Sequence, residues 1–177
     1  DARPYVRAVQ HYRYPAQSRV WGAEDREALG IRAYHLSDVC SAYRRSAYEA
    51  VGGFPHPLPT NEDMLIGAAF LDSGYRLAYC ADAAVVHSHD LTLRQEYRRN
   101  VLIGRFLQEY GERLGNPRET GEGLRMVRQV LSQLLRSGHP LECPAFAADC
   151  AARLLGSRAG RRAGTAGQRR IRHAADG

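Results

Sequence analysis

Two glycine breaks, Gly52-Gly53 and Ser73-Gly74, enclose the part of the chain with the fewest structural options. After the first break comes a loop with three prolines, Phe54-Pro55-His56-Pro57-Leu58-Pro59-Thr60. Met64, Leu65, Ala68, Ala69, Phe70 and Leu71 then recur at helical spacing, which predicts a helix from Asn61 to the second break. Thr60 or Asn61 would cap it, and Glu62 and Asp63 would occupy its first turn, where acid is favoured. The glycines and prolines ahead of it would present that acidic start at a surface cleft. Asp63 there is either a helix-start charge or a general base that takes a proton from an attacking hydroxyl. Glu62, its neighbour, is expected to point elsewhere.

Downstream, Tyr75 to Cys80 and Ala84 to His87 read as two short strands split by Ala81-Asp82. The second runs into His87-Ser88-His89. Alternate residues on a strand share a face, so His87 and His89 could act together as metal ligands. A hard cation would also need carboxylates, and the chain holds no Asp-x-Asp. Leu93, Tyr97, Val101, Phe106 and Leu107 then mark the apolar stripe of a further helix. Its arginines, Arg94, Arg98 and Arg99, form either a solvated face or a phosphate clamp.

Residues 1–30 look irregular apart from a short helix at Glu24 to Gly30. Ile31 onward reads as a strand, followed by a short helix capped by Ser46 and stopped at Gly52-Gly53. Helices are expected at about Glu122 to Arg136 and Pro144 to Leu155. The fold class is therefore α/β, with residues 1–112 as part of an α/β domain and 113–156 as a helical extension. Residues 157–177, rich in Gly, Ala and Arg without apolar period, are expected to be disordered.

The net charge is +6, and all 25 basic residues are arginine. That balance favours anionic partners. It leaves open a non-catalytic Arg-rich module for nucleic acid or an anionic surface. No nucleic-acid motif is present, however, and the arginines do not gather with aromatics on one recognition element. A metal-dependent hydrolase built on His87, His89 and Asp63 would need further carboxylates that the sequence does not place. The four cysteines form no CxxC pair; Cys40 and Cys80, inside apolar runs, read as buried thiols. There is no apolar run long enough to span a membrane, and no initiator Met or signal core at the start. These features suggest a cytoplasmic chain and a piece of a longer protein.

Taken in order, SDVCSAYRRSAYEAVGGF, NED and GYRLAYCADAAVVHSHDLTLRQEYRRN resemble the second half of a family 2 glycosyltransferase, of the GT-A type. The His-Ser-His ending and the aromatic-Arg helix after it look most like the bacterial rhamnosyltransferase branch. The resemblance covers about Tyr12 to Phe106. It implies an inverting transfer in which Asp63, the second acid of the Glu-Asp pair, deprotonates the acceptor hydroxyl. His87, with His89 less securely placed, would help hold Mg²⁺ or Mn²⁺ or the donor diphosphate. Asp38 and Tyr43-Arg44-Arg45 would line the acceptor or leaving-phosphate side, with Glu62 and Arg98 also contacting substrate. The implied donor is a nucleotide-diphospho-sugar, dTDP-rhamnose or a UDP-sugar. The implied acceptor is a glycan or lipid-linked oligosaccharide at the inner face of the cell membrane, and nucleic acid is not an expected partner. The Arg-rich end is either a peripheral membrane contact or a solvated tail. The family's nucleotide-binding βαβ half and its Asp-x-Asp do not occur in this sequence, so the isolated chain is expected to be inactive, with an exposed sheet edge.

Overall fold

The structure is a computed structural model that describes residues 2–55, 58–87, 91–115 and 119–175, with side chains described as far as residue 164 except those of 119 and 120. Its centre is the helix predicted between the glycine breaks, α4, Glu62–Asp72. Met64, Leu65, Ile66, Gly67, Ala68, Phe70 and Leu71 are all buried. A helix apolar on nearly every side is stable only when surrounded, and here the surroundings come from several short elements. A 3-10 turn, Gly30–Tyr34, packs so closely that a methyl group on Gly67 would collide with the Tyr34 carbonyl. Trp21 reaches the same core and donates its indole N–H to the Ala33 carbonyl at 2.8 Å. Ser73 and Gly74, the latter at φ +78, close the helix as the sequence predicts.

Trp21 belongs to β1, Arg19–Trp21, which pairs antiparallel with β2, Leu77–Tyr79. The register is Arg19↔Tyr79, Val20↔Ala78 and Trp21↔Leu77, which brings the two buried residues Trp21 and Leu77 opposite each other. These are the only strands among the described residues. The strand predicted from Ile31 is absent; the 3-10 turn and an irregular stretch occupy that place. The strand predicted at Ala84 to His87 is absent too. Those residues have no ladder partner, and Val85 and Val86 are exposed. Ahead of β1, the expected irregular start contains α1, Pro4–Arg13, with Pro at its first turn, where its missing N–H is harmless. The short helix at Glu24 to Gly30 is found, as a 3-10 turn, Ala23–Asp25, running into α2, Arg26–Leu29. Cys40 and Cys80 are exposed rather than buried, because the irregular segments around them face solvent.

The rest is helical: α5, Leu93–Tyr110; α6, Glu119–Arg136; and α7, Cys143–Ala175, entered through a 3-10 turn at Pro140–Glu142. Thr92 caps α5 by accepting from the Gln95 N–H, while Gln95 returns a bond to the Thr92 N–H at 2.8 Å. Ala8 and Val9 of α1 meet Val130, Leu134 and Phe146 in a second core. The stretch expected to be disordered from Ser157 is instead helical, and α7 lies along α5 with backbones nearly in contact. Side chains on Gly104, Gly156 or Gly160 would strike the opposite backbone at Ser157, Tyr97 or Val101. Because glycine has no Cβ, the two helices come closer than ordinary side chains permit.

One ionic network spans this pair. Arg153 of α7 reaches Glu96 of α5 at 2.9 Å and Asp149 at 2.7 Å, and both carboxylates are about 5% exposed. Asn100 adds a bond to the Glu96 carbonyl at 2.9 Å. Replacing Arg153 with Met would leave two buried carboxylates without their cation. A loss of about 3–5 kcal/mol in urea unfolding is expected.

Candidate active site

The Gly52-Gly53 turn, α3 and the start of α4 together shape an open cleft. Helix α3, Arg45–Ala50, ends at Val51, and Gly52 and Gly53 follow at φ +85 and +70, a region costly for any other residue. The Tyr48 ring packs against Gly53 at a distance that leaves no room for a Cβ, and its hydroxyl accepts the Phe54 N–H at 3.1 Å. Phe54 is thereby fixed edge-on to Tyr43, with centroids 5.7 Å apart, and Tyr43 stacks on Phe70 of the buried helix. This aromatic cluster anchors a cleft of about 400 Å³ lined by Asp38, Ser41, Tyr43, Phe54, Pro55, Leu58 and Glu62. Its lining combines apolar groups, Phe54, Pro55 and Leu58, with the carboxylates and hydroxyls of Asp38, Ser41, Tyr43 and Glu62. A sugar ring, with C–H faces and hydroxyl edges, has the matching chemistry.

Asp63 adjoins the cleft from the first turn of α4, whose N-cap Asn61 stands at φ 62. Burial, then the nearby charge of Asp38, pushes the Asp63 carboxyl up to about 7. The Met64 N–H opposes this and Glu62 adds to it. Asp38 is raised by burial; a bond from Tyr43 works against the rise, while the charge of Glu62 and a bond shared with it add to it. Burial pushes Tyr43 up to about 12, so its hydroxyl stays protonated and donates to Asp38 at 3.2 Å. The outcome is a carboxyl that can both accept and release a proton near neutral pH, the property a general base requires.

The structure therefore brings Asp38, Tyr43, Glu62 and Asp63 together. Glu62 lines the cleft itself, whereas Asp63, the next residue on α4, borders it without being one of its lining residues. Arg44 and Arg45 are exposed and do not line it, and Arg45 pairs along α3 with Glu49 at 2.9 Å. Arg98 is exposed on α5, away from the cleft lining. His87 is exposed in the irregular segment after β2, so the strand that would have paired it with His89 is not there, and His89 lies outside the described residues. Among the described residues no three His, Cys, Asp or Glu side chains gather as metal ligands would. Sequence reading missed Ser41, Phe54 and Leu58 as lining groups. The Gly-Gly-Phe turn is the signal that could have located Phe54.

Comparison with known proteins adds a direction. The chain is 33% identical over 168 residues to the O-antigen chain rhamnosyltransferase WbaN of Salmonella anatum, a match over 91% of this chain and 51% of that protein. It is equally similar, over the same shares, to the O-antigen chain rhamnosyltransferase RfbN of Salmonella typhimurium strain LT2. The chain is related in sequence to O-antigen rhamnosyltransferases. It spans about half the length of these curated relatives. No family model matches the chain. No solved structure matches it either. Among the described residues no helix is long and apolar enough to cross a membrane.

Proposed function

We propose that this chain is the acceptor-side part of an inverting GT-A glycosyltransferase of O-antigen synthesis, one that transfers rhamnose. The observation that carries this reading is the Asp63 carboxyl, raised to about 7 beside a cleft lined by both apolar and acidic residues. The sequence relation to O-antigen rhamnosyltransferases supports it. The acceptor glycan lies against Phe54 and Leu58, with hydroxyls toward Asp38, Ser41 and Glu62. Asp63 takes the proton from the attacking hydroxyl as its oxygen bonds to the anomeric carbon. The bond from that carbon to the diphosphate breaks on the opposite face, and its electron pair leaves with the diphosphate.

The donor in this reading is dTDP-rhamnose or a UDP-sugar, with the diphosphate on the His87 side, and the nucleotide-binding half lies outside these 177 residues. The Mg²⁺ or Mn²⁺ expected from the resemblance would rest on carboxylates outside the chain, so no step here runs through it. The acceptor is a glycan, lipid-linked at the inner membrane face.

The test is the pH profile of rhamnosyl transfer by the full-length protein. Activity is expected to rise with the ionisation of one group near pH 7. Asp38→Asn, which removes a charge that raises Asp63, is expected to move that limb to lower pH. A profile unchanged by this substitution would exclude the coupling on which the assignment rests.

A further inference from the structure

Helix α6 carries more apolar side chains than the second core uses. Met126, Val127, Val130, Leu131 and Leu134 pack into that core. Leu124 and Leu135 do not; they are 50% and 61% exposed. They stand three helical turns apart, on one line of the helix and about 16 Å from each other. Leu141, in the 3-10 turn just beyond the helix, is 91% exposed. Single surface leucines are ordinary, but three on the outer side and end of one helix form a patch.

The charges around this patch have one sign. From Gly123 to Leu141 the chain has three arginines and no Asp or Glu, and α1, which packs against α6, has no carboxylate either. By helical spacing Arg128 falls beside the line from Leu124 to Leu135, and Arg125, Arg128 and Arg136 are all exposed. Arg125 pairs with Glu122 at 3.4 Å. Among the described residues Arg128 and Arg136 form no ion pair. Arg136, next to Leu135, also lines a polar groove of about 410 Å³ with Gln129, Ser132, Gln133 and Ser137. The outer side of α6 thus runs from leucines through arginines to a groove of amides and hydroxyls.

An anionic bilayer surface has the complementary layers. Leucines enter the boundary below the headgroups, while arginine stems lie along apolar surface and their guanidiniums reach the phosphates. The groove offers one cation with neutral donors and acceptors, which suits a phosphate and the hydroxyls of its headgroup. A second copy of the chain fits less well. It would set Arg128 and Arg136 against like charge, since this face holds no acid to answer them.

We propose that the outer face of α6 docks on an anionic phospholipid bilayer, with Leu124, Leu135 and Leu141 inserted and the Arg136 groove holding a headgroup. The surface stands on α6 and its turn alone. Only its purpose, bringing the acidic cleft to a lipid-linked acceptor, rests on the transferase reading.

The test is co-sedimentation of the full-length protein with vesicles of phosphatidylcholine and phosphatidylglycerol in equal parts, free of glycan and of polyprenyl lipid. Binding is expected, falling with salt and absent on phosphatidylcholine alone. Arg128→Gln combined with Arg136→Gln is expected to weaken it about tenfold or more, at about fivefold per arginine. Leu124→Gln, Leu135→Gln and Leu141→Gln together are expected to do the same, because less apolar area enters the bilayer. These side chains all face solvent, so both variants are expected to unfold at the parent's temperature. Arg45→Gln, at an exposed position of α3, is expected to leave binding unchanged. Asp63→Asn is expected to bind vesicles as the parent does, which separates failure of docking from failure of the base assignment. A protein that ignores anionic vesicles, or whose two α6 variants bind them as tightly as the parent, overturns the proposal. A dimer that the leucine changes dissociate, with vesicle binding unaltered, would give the face to a second copy and overturns it equally.

Discussion

Replacing Asp63 with Asn is expected to reduce sugar transfer by the full-length protein about 10²–10⁴-fold, the usual worth of a general base. The same change is expected to stabilise the fold at pH 8, and the two effects together are diagnostic. The Asp63 carboxyl titrates near 7 in the folded chain against an ordinary 3.8. Between those values the folded state keeps a proton that the unfolded state has released. Its contribution is therefore fully present below 3.8 and is lost as pH rises through about 7. Asn, which never ionises, escapes that loss. Because the carboxyl is only partly buried, the gain is placed at roughly 2 kcal/mol, less than the full linkage value. Urea unfolding at about pH 8 and pH 5 measures it, and the difference between variant and parent is expected to shrink at the lower pH, vanishing only below 3.8. A carboxylate serving as a helix-start charge would behave in the opposite way, since its loss would destabilise the chain at high pH.

Gly160→Leu is expected to be the most damaging single change in the helical part. A Cβ at this position would collide with the Val101 carbonyl and lie 2.9 Å from the Arg105 nitrogen, both of them backbone. Backbone cannot rotate aside as a side chain can, so α5 and α7 would have to separate along their length. A loss of about 3 kcal/mol or more is expected, at the upper end of overpacking costs. Gly121→Ala is the matched control, because a Cβ there meets nothing within 4 Å. It is expected to be neutral or to stabilise α6 by up to about 1 kcal/mol. Thermal unfolding of both variants separates close packing from helix propensity.

The same glycines show why parts of this fold were legible in the sequence and others were not. Helix α4 was readable because its apolar spacing and its glycine boundaries point the same way. The acidic start reached the surface as expected, since the Gly52-Gly53 turn fixes Phe54 and the aromatic wall. Residues beyond Ser157 read as disordered because glycine and arginine in isolation lack a packing partner. For Ser157 to Gly164 the partner is α5, far away in sequence, and the close approach offsets the poor helix propensity of glycine. Ala84 to His87 failed in the opposite direction. Its composition suits a strand, but a strand also needs a neighbour, and β1 has only three residues, all paired to β2.

The ionic network on α5 and α7 has a role that its strength alone does not reveal. Gly156, Gly160 and Gly164 recur every fourth residue, so the smooth face of α7 repeats once per helical turn. Taken alone, such a face would offer α5 a similar fit after sliding by one turn, about 6 Å along the axis. Gly104 sets the notch from the α5 side, because only a residue without a Cβ fits against the Ser157 carbonyl. Arg153 is a second latch in that same notch, where it meets Glu96 while keeping Asp149. The two helices are thus held in register by shape and by charge at once.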